Sequence, residues 1–279
     1  MGVLKTLFKQ TFIYGLATVL PRMLSFILVP LYTTKGVLSS VAEYGQVSVI
    51  FSYFVLFNVV LAYGMETAFF RFFNKEDDKN QVVGTSTISL IISSFGFFIL
   101  ALICQNQIAA FIDIDVKYIN LVIWILLLDA LTIIPFAWLR ATQRPMRYAF
   151  IKILNVIINL GFNLFFLLAL KNLASKGAFF ESIYRTNFEI SYIFIANLIA
   201  SGITLLIVIP FYIKTKYVFN KELLKSMMRY AFPVLVAGVA FSINETFDRI
   251  LLKELLPPNI ADTDIGMSSA CYTIALFMT

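Results

Sequence analysis

Five groups of polar side chains interrupt long apolar runs, where a charge at mid-membrane depth costs about 2.5 to 3.5 kcal/mol even on the lenient insertion scale. Arg22 lies mid-run, directly after Pro21, which removes a backbone donor and leaves the carbonyl of Ala17 without its helical partner. A guanidinium at such a kink suits an anion, because its planar fork meets phosphate oxygens bidentately; a structural ion pair is the alternative. Asp129 falls at similar depth in a later run and is the natural counter-charge of Arg22, a latch that a ligand could open. Glu245, Asp248 and Arg249, spaced i, i+3 and i+4, put two carboxylates and a guanidinium on one helix face, with Asn244 beside them and Pro233 earlier in the run. Burial and a neighbouring Arg act on a carboxylate in opposite directions, so such a group senses which way its cavity faces. Simple neutralisation of Asp248 by Arg249 is equally open. Glu66 and Arg71 close another run in YGMETAFFRFF, at a depth that suits a headgroup-level ion pair as well as a substrate contact. Asn155, Asn159 and Asn163 recur every four residues, an amide stripe that glues membrane helices or lines a cavity. The substrate-binding candidates are therefore Arg22, Arg249, Asn155 and Asn159, and the ion-coupling candidates are Asp129, Glu245, Asp248 and Glu66.

Other chemistry is thin. The chain has no histidine, which removes histidine metal sites, Ser-His-Asp and Cys-His catalysis and histidine proton relays. Cys104 and Cys271 lack CxxC spacing and read as reduced core residues. Asp113 and Asp115 form a D-x-D spacing used elsewhere to hold a nucleotide-bound metal, but two solvated acids at a helix start fit better. No cofactor, metal or catalytic residue is expected.

The elements that must carry these groups are membrane helices. Of 279 residues 60% are apolar and only 14% charged, where a soluble domain carries about 25% charged. The net charge of +6 lies in loops, where topology explains it, and implies no nucleic-acid partner. A crossing takes about 20 apolar residues, and seven stretches supply them: 11–32, 46–70, 83–104, 118–139, 148–170, 190–213 and 230–253. An eighth begins near Gly266 and is expected to stop inside the membrane, loosely held or lying along the outer interface, because about 14 residues reach only about 20 Å. Alternate loops carry 14 basic residues on one side and 6 on the other, which puts the N-terminus in the cytoplasm. Between Lys214 and Arg229, Phe219, Leu223 and Met227 recur every four residues while Lys221 and Lys225 face elsewhere, the pattern of an amphipathic surface helix. A shorter one is expected at Gln107–Asp115.

A weak internal repeat aligns the stretch from Ser25 with that from Asp248. Each has an apolar helix end, a polar loop, an acid-x-Gly turn (Glu43, Gly45; Asp264, Gly266) and a new apolar run. Six spans separate the copies, so the repeats are parallel, as in several transporter folds. The reading is an all-α polytopic membrane helix bundle: residues 1–213 form an N-lobe of six transmembrane helices, 214–229 a cytoplasmic amphipathic linker helix, and 230–279 the first helix and a truncated second helix of a parallel-repeat lobe.

With six spans, a basic linker, a central Arg22, the run Gly64–Phe73 (GMETAFFRFF), TQRP at Thr142–Pro145 and NETFDRILLKELL at Asn244–Leu256, the chain resembles Wzx-type polysaccharide-biosynthesis flippases. That family belongs to the multidrug, oligosaccharidyl-lipid and polysaccharide exporter (MOP) superfamily, with the MurJ-type flippases and the MATE exporters. The resemblance implies that the chain is a transporter, not an enzyme. Its substrate would be an undecaprenyl-diphosphate-linked oligosaccharide, moved across the cytoplasmic (inner) membrane by alternating access. Its partners would be that lipid-linked oligosaccharide, the lipid bilayer and other polysaccharide-assembly proteins. A MATE-like cation exporter is disfavoured by Arg22, and a membrane-bound glycosyltransferase by the lack of a large outer loop and of histidine; a non-transporting assembly subunit stays open.

Overall fold

The computed structural model describes residues 15, 19, 27–34, 37, 38 and 40–278. Residues 27–33 are helical and are called α1. They are followed by α2 (Val41–Ala62), α3 (Met65–Lys75), α4 (Lys79–Ile103), α5 (Gln105–Ile112), α6 (Val116–Ala141), α7 (Pro145–Leu164), a π-helical turn (Phe165–Ala169), α8 (Leu170–Ala174), α9 (Ala178–Ile183), α10 (Glu189–Lys214), α11 (Lys221–Leu255) and α12 (Pro258–Met278). Among the described residues six helices, counted with their continuations, are long and apolar enough to cross a membrane: Val41–Lys75, Lys79–Ile103, Val116–Ala141, Pro145–Ala174, Glu189–Lys214 and Lys221–Leu255. The protein is an all-α, multi-pass membrane bundle. The span expected at 11–32, and Arg22 within it, lie largely outside the described residues. The turns 76–78, 142–144 and 215–220 share one end of the bundle, called here the basic end; α5 and the starts of α2, α6 and α12 share the opposite end.

The second crossing is broken in the middle. Tyr63 and Gly64 both have positive φ, 33° and 71°, so α2 stops and α3 restarts at an angle. Gly64 is required twice over, since its φ suits glycine and a Cβ there would overlap the carbonyl oxygen of Ala231 on α11. In α3, Met65, Ala68, Phe69 and Phe72 recur at helical spacing and pack with Leu90, Ile134, Leu223 and Met227, a core that ties α3, α4, α6 and α11 together at the basic end. Arg71 lies over the ring of Tyr230, 4.3 Å from its centroid, and does not pair with Glu66.

Three sequence expectations change. Residues 215–220 are not helical, so Phe219 does not share a face with Leu223 and Met227. This segment threads past α4, where a Cβ on Gly84 would come within 2.6 Å of the Val218 backbone and the Asn220 N–H donates to Thr85 Oγ1 at 3.0 Å. Asn220 then caps α11 by accepting from the N–H groups of Glu222 and Leu223. From there α11 continues through Pro233 to Leu255, so the expected surface helix and the seventh span are one rod. Third, α12 starts at Pro258 rather than near Gly266, and its 21 residues make about 31 Å of helix. It is not a loose interfacial stub: Ala261 and Ile265 are fully buried.

Among the described residues Gly96 on α4 takes no part in close helix packing. Nothing lies within 4 Å of a Cβ at Gly96, whereas α2 and α12 cross at Gly45 and Gly266. A Cβ on Gly45 would overlap the carbonyl oxygen of Asp262, and one on Gly266 the carbonyl oxygen of Val41. Val41 stands four residues before Gly45 and Asp262 four before Gly266, so the two acid-x-Gly segments contact each other reciprocally.

Asp115 is the N-cap of α6, accepting from the backbone N–H of Lys117 at 3.0 Å, which holds its carboxyl below the ordinary aspartate range. Its stabilising effect is therefore present above the ordinary aspartate pKa and is lost as pH falls through the lowered one. Asp115→Ala is expected to cost about 1 kcal/mol in a denaturation series, the usual worth of such a cap.

Candidate functional site

Between α2, α3, α6, α7 and α10 the bundle holds a polar cavity of about 330 Å³. It reaches from the basic end, where Arg140 stands one residue from the end of α6 and Tyr148 in the first turn of α7, down to Asp129 halfway along α6. Pro135 makes room for it: its missing N–H frees the carbonyl of Leu131, and the Tyr212 hydroxyl of α10 donates to that oxygen instead. Thr132 donates to the carbonyl of Asp129 in the same turn, at 2.8 Å.

Among the described residues the cavity is lined by two acids and two cations. Glu66 pairs with Arg140, whose guanidinium also lies over the rings of Phe70 and Tyr148, 4.8 and 5.8 Å from their centroids. Asp129 accepts from Ser201 Oγ of α10 at 2.7 Å, with the Asn58 amide of α2 against the same carboxyl. Lys152 lies over the Phe136 ring at 4.4 Å. Among the described residues Lys152 forms no contact ion pair, although Asp129 and Glu66 are its neighbours of opposite charge. Asn155 donates to Thr204 Oγ1 at 2.9 Å, joining α7 to α10. Among the described residues the result is one closed ion pair and one separated pair, Asp129 and Lys152, in a wall of amides, hydroxyls and aromatic rings with Ile133.

The sequence candidates divide accordingly. Asp129, Glu66 and Asn155 come together at this cavity. Asn159 does not: its side chain accepts from Asn163 at 2.8 Å, and Asn163 in turn accepts from the Tyr32 hydroxyl at 2.9 Å, a chain of bonds between helices. Arg249 donates through Nε to Ser269 of α12 at 3.0 Å and lies over Tyr272; among the described residues it makes no ion pair with Glu245 or Asp248. Glu245 is half-buried and Asp248 exposed. Near these groups, at the opposite end, Lys253 reaches Asp262 at 2.9 Å and Gln46 donates to the same carboxylate at 3.0 Å, so α2, α11 and α12 share a polar fastening.

Sequence reasoning missed Lys152, Arg140, Asn58, Ser201 and Thr204. Lys152 stands only about one turn inside a span read from 148, close enough to its end to count as topology, but Pro145 at the first helical position moves the start of α7 earlier and puts Lys152 two turns inside. Lys152, Asn155 and Asn159, at i, i+3 and i+7, then form one continuous polar stripe.

A multi-pass helix bundle around a charged internal cavity is the build of a membrane transporter rather than of an enzyme. Residues 7–279 match the model of a family described as polysaccharide biosynthesis protein. The chain belongs to that family, which holds the Wzx-type flippases of the MOP superfamily, and this gives it a role in polysaccharide synthesis. No curated protein and no solved structure matches the chain.

Proposed function

We propose that the chain acts in a flippase that moves an undecaprenyl-diphosphate-linked oligosaccharide from the inner to the outer leaflet of the cytoplasmic membrane by alternating access. The observation that carries this reading is the asymmetry of the bundle along its axis. Toward the basic end lies a charged cavity, while toward the opposite end α2 and α12 cross at Gly45 and Gly266 and Lys253, Asp262 and Gln46 fasten them. With the basic end in the cytoplasm, as the positive-inside rule requires, this is a cytoplasm-facing state, and transport requires the crossing to part. The reciprocal contact of the two acid-x-Gly segments supports a local two-fold axis along the membrane normal and hence a second lobe built as a parallel repeat.

Arg22 takes the diphosphate in this reading, by bidentate hydrogen bonds that an ammonium cannot reproduce. Asn155 and the cavity hydroxyls contact sugar, while Asn159 acts through Asn163 as helix glue. Asp129 and Glu66 couple transport to an ion, with Glu245 and Asp248 as a second coupling group and Arg249 as its link to α12. The test is export of a fluorescent lipid-linked oligosaccharide in vesicles containing the purified protein. Arg22→Lys is expected to reduce export while leaving protein level and stability unchanged; unaltered export removes Arg22 from the site, and absence of any wild-type export overturns the flippase reading.

A further inference from the structure

At the opposite end, where α4 turns into α5, the protein encloses a second cavity, of about 210 Å³, with the reverse chemistry. Its wall is side-chain carbon with almost no polar surface, contributed by Ile50 and Phe57 of α2, Ala101 of α4, Ile108 of α5 and Leu126 of α6, with Cys104 at the bend. Water gains nothing there, because a buried water needs two to four polar partners. Left empty, the cavity would deprive every lining side chain of its dispersion contacts on one side.

What fills it is indicated by its mouth. Ile92, Ile99 and Ile103 are exposed along a single stripe of α4, which on a membrane helix is the stripe that faces lipid. Leu100, 60% exposed, belongs to that surface and also to the cavity wall, so the opening is continuous with the hydrocarbon around the bundle. Just beyond the cavity lies a polar rim in which Asn120 donates to Gln105 at 3.1 Å and the partly exposed Lys117 pairs with Asp115 at 3.0 Å. An apolar well below a rim of amides and an ion pair has the polarity profile of a phospholipid, tail inward and polar headgroup outward.

We propose that this cavity is a binding site for one acyl chain of a membrane phospholipid, entering sideways between α4 and α5. The site lies on the lipid-facing side of α4 and shares no residue with the polar cavity, so its occupant comes from the surrounding leaflet rather than from a transported molecule. A bound chain would complete the packing of α4 and α5 on α6, and Ala101, Ile119 and Ile123 of that packing belong to one buried cluster with Val49 of α2 and Ile265 of α12. Lipid occupancy is thereby linked to the region where α2 and α12 cross.

Native mass spectrometry of the full chain in detergent tests this directly, with phosphatidylglycerol and decaprenyl phosphate as separate probes. The wild type is expected to retain one phosphatidylglycerol mass through detergent exchange, and added phosphatidylglycerol is expected to raise its thermal midpoint. Ala101→Phe, which puts a ring into the well, and Ile108→Trp, which fills it from α5, should each lower the retained fraction by about tenfold or more and remove the thermal shift. Ile213→Phe, on the exposed surface at the other end, should leave both readouts as in the wild type. Equal retention by the filled variants, no retention by the wild type, or retention of decaprenyl phosphate alone would each overturn the proposal.

Discussion

Gly45→Ala and Gly266→Ala are each expected to destabilise the protein severely, although each adds a single methyl group. In both places the new Cβ meets a backbone carbonyl oxygen of the facing helix, Asp262 for Gly45 and Val41 for Gly266, and not the movable end of a side chain. A helix backbone cannot give locally, so α2 and α12 must separate along their length. That separation strips Ile265 and Ala261, both fully buried, of their packing and pulls Asp262 away from Gln46 and Lys253. Overpacking a core usually costs about 1 to 3 kcal/mol, and a backbone clash belongs at the upper end of that range. Gly96→Ala is the control, because its Cβ meets nothing within 4 Å. Alanine in a helix interior is favoured over glycine by about 0.5 to 1 kcal/mol, so this variant should match or exceed the wild type. The measurement is the thermal midpoint of the three purified variants in one detergent. If all three behave alike, the crossing is not where the helices touch.

The separation of α2 and α12 also shows what one sequence can and cannot display. Crossing segments were legible because a bilayer demands long apolar runs whatever their partners, and the boundaries at Lys79, Val116 and Glu189 fall within four residues of those read from hydropathy. The acid-x-Gly repeat was legible as a pattern, but its physical meaning, two equivalent glycines each opposite a carbonyl of the other segment, needed three-dimensional pairing. The break at Tyr63 and Gly64 was hidden because Leu61 and Ala62 before it and Met65 after it continue the apolar run and hydropathy carries no dihedral information. For the linker, periodicity misled at Phe219: the β-branched and aromatic run through Val218 stays extended where Gly84 lets its backbone close on α4.

The candidate site was half legible for a different reason. Asp129 and the asparagine stripe were visible because a polar residue deep in an apolar run is conspicuous. Lys152 and Arg140 were not, since each stands near the end of a span, where a cation is ordinarily topology. Only the packing of α3, α6 and α7 brings them to the cavity, where Arg140 takes Glu66 and Lys152 lies over Phe136. The depth of Glu66 suited a headgroup-level ion pair as well as a substrate contact, and hydropathy could not name its partner, Arg140, 74 positions away.

Asp129→Asn is expected to have the second large effect, and pairing it with Lys152→Gln separates stability from coupling. Asp129 and Lys152 are opposite charges in one cavity without direct contact, so neutralising either leaves the other with less compensation in a medium of low polarity. The single variant Asp129→Asn should therefore lose stability, and so should Lys152→Gln. The double variant should lose less than the two added together, with an interaction energy of about 0.5 to 3 kcal/mol, as groups in one network show. Asn keeps the bond from Ser201 because its amide oxygen can still accept, and Asn58 can turn its own amide oxygen toward the new NH2 group, so a loss of stability in Asp129→Asn reports chiefly the charge. Transport should respond differently. If Asp129 carries the coupling ion, both Asp129→Asn and the double variant should export independently of an imposed ion gradient, even though the double variant has recovered stability. Additive losses of stability would mean that the two charges do not sense each other across the cavity. Gradient-dependent export by a well-folded double variant would move the coupling away from Asp129, to Glu66 or to the Glu245 and Asp248 pair.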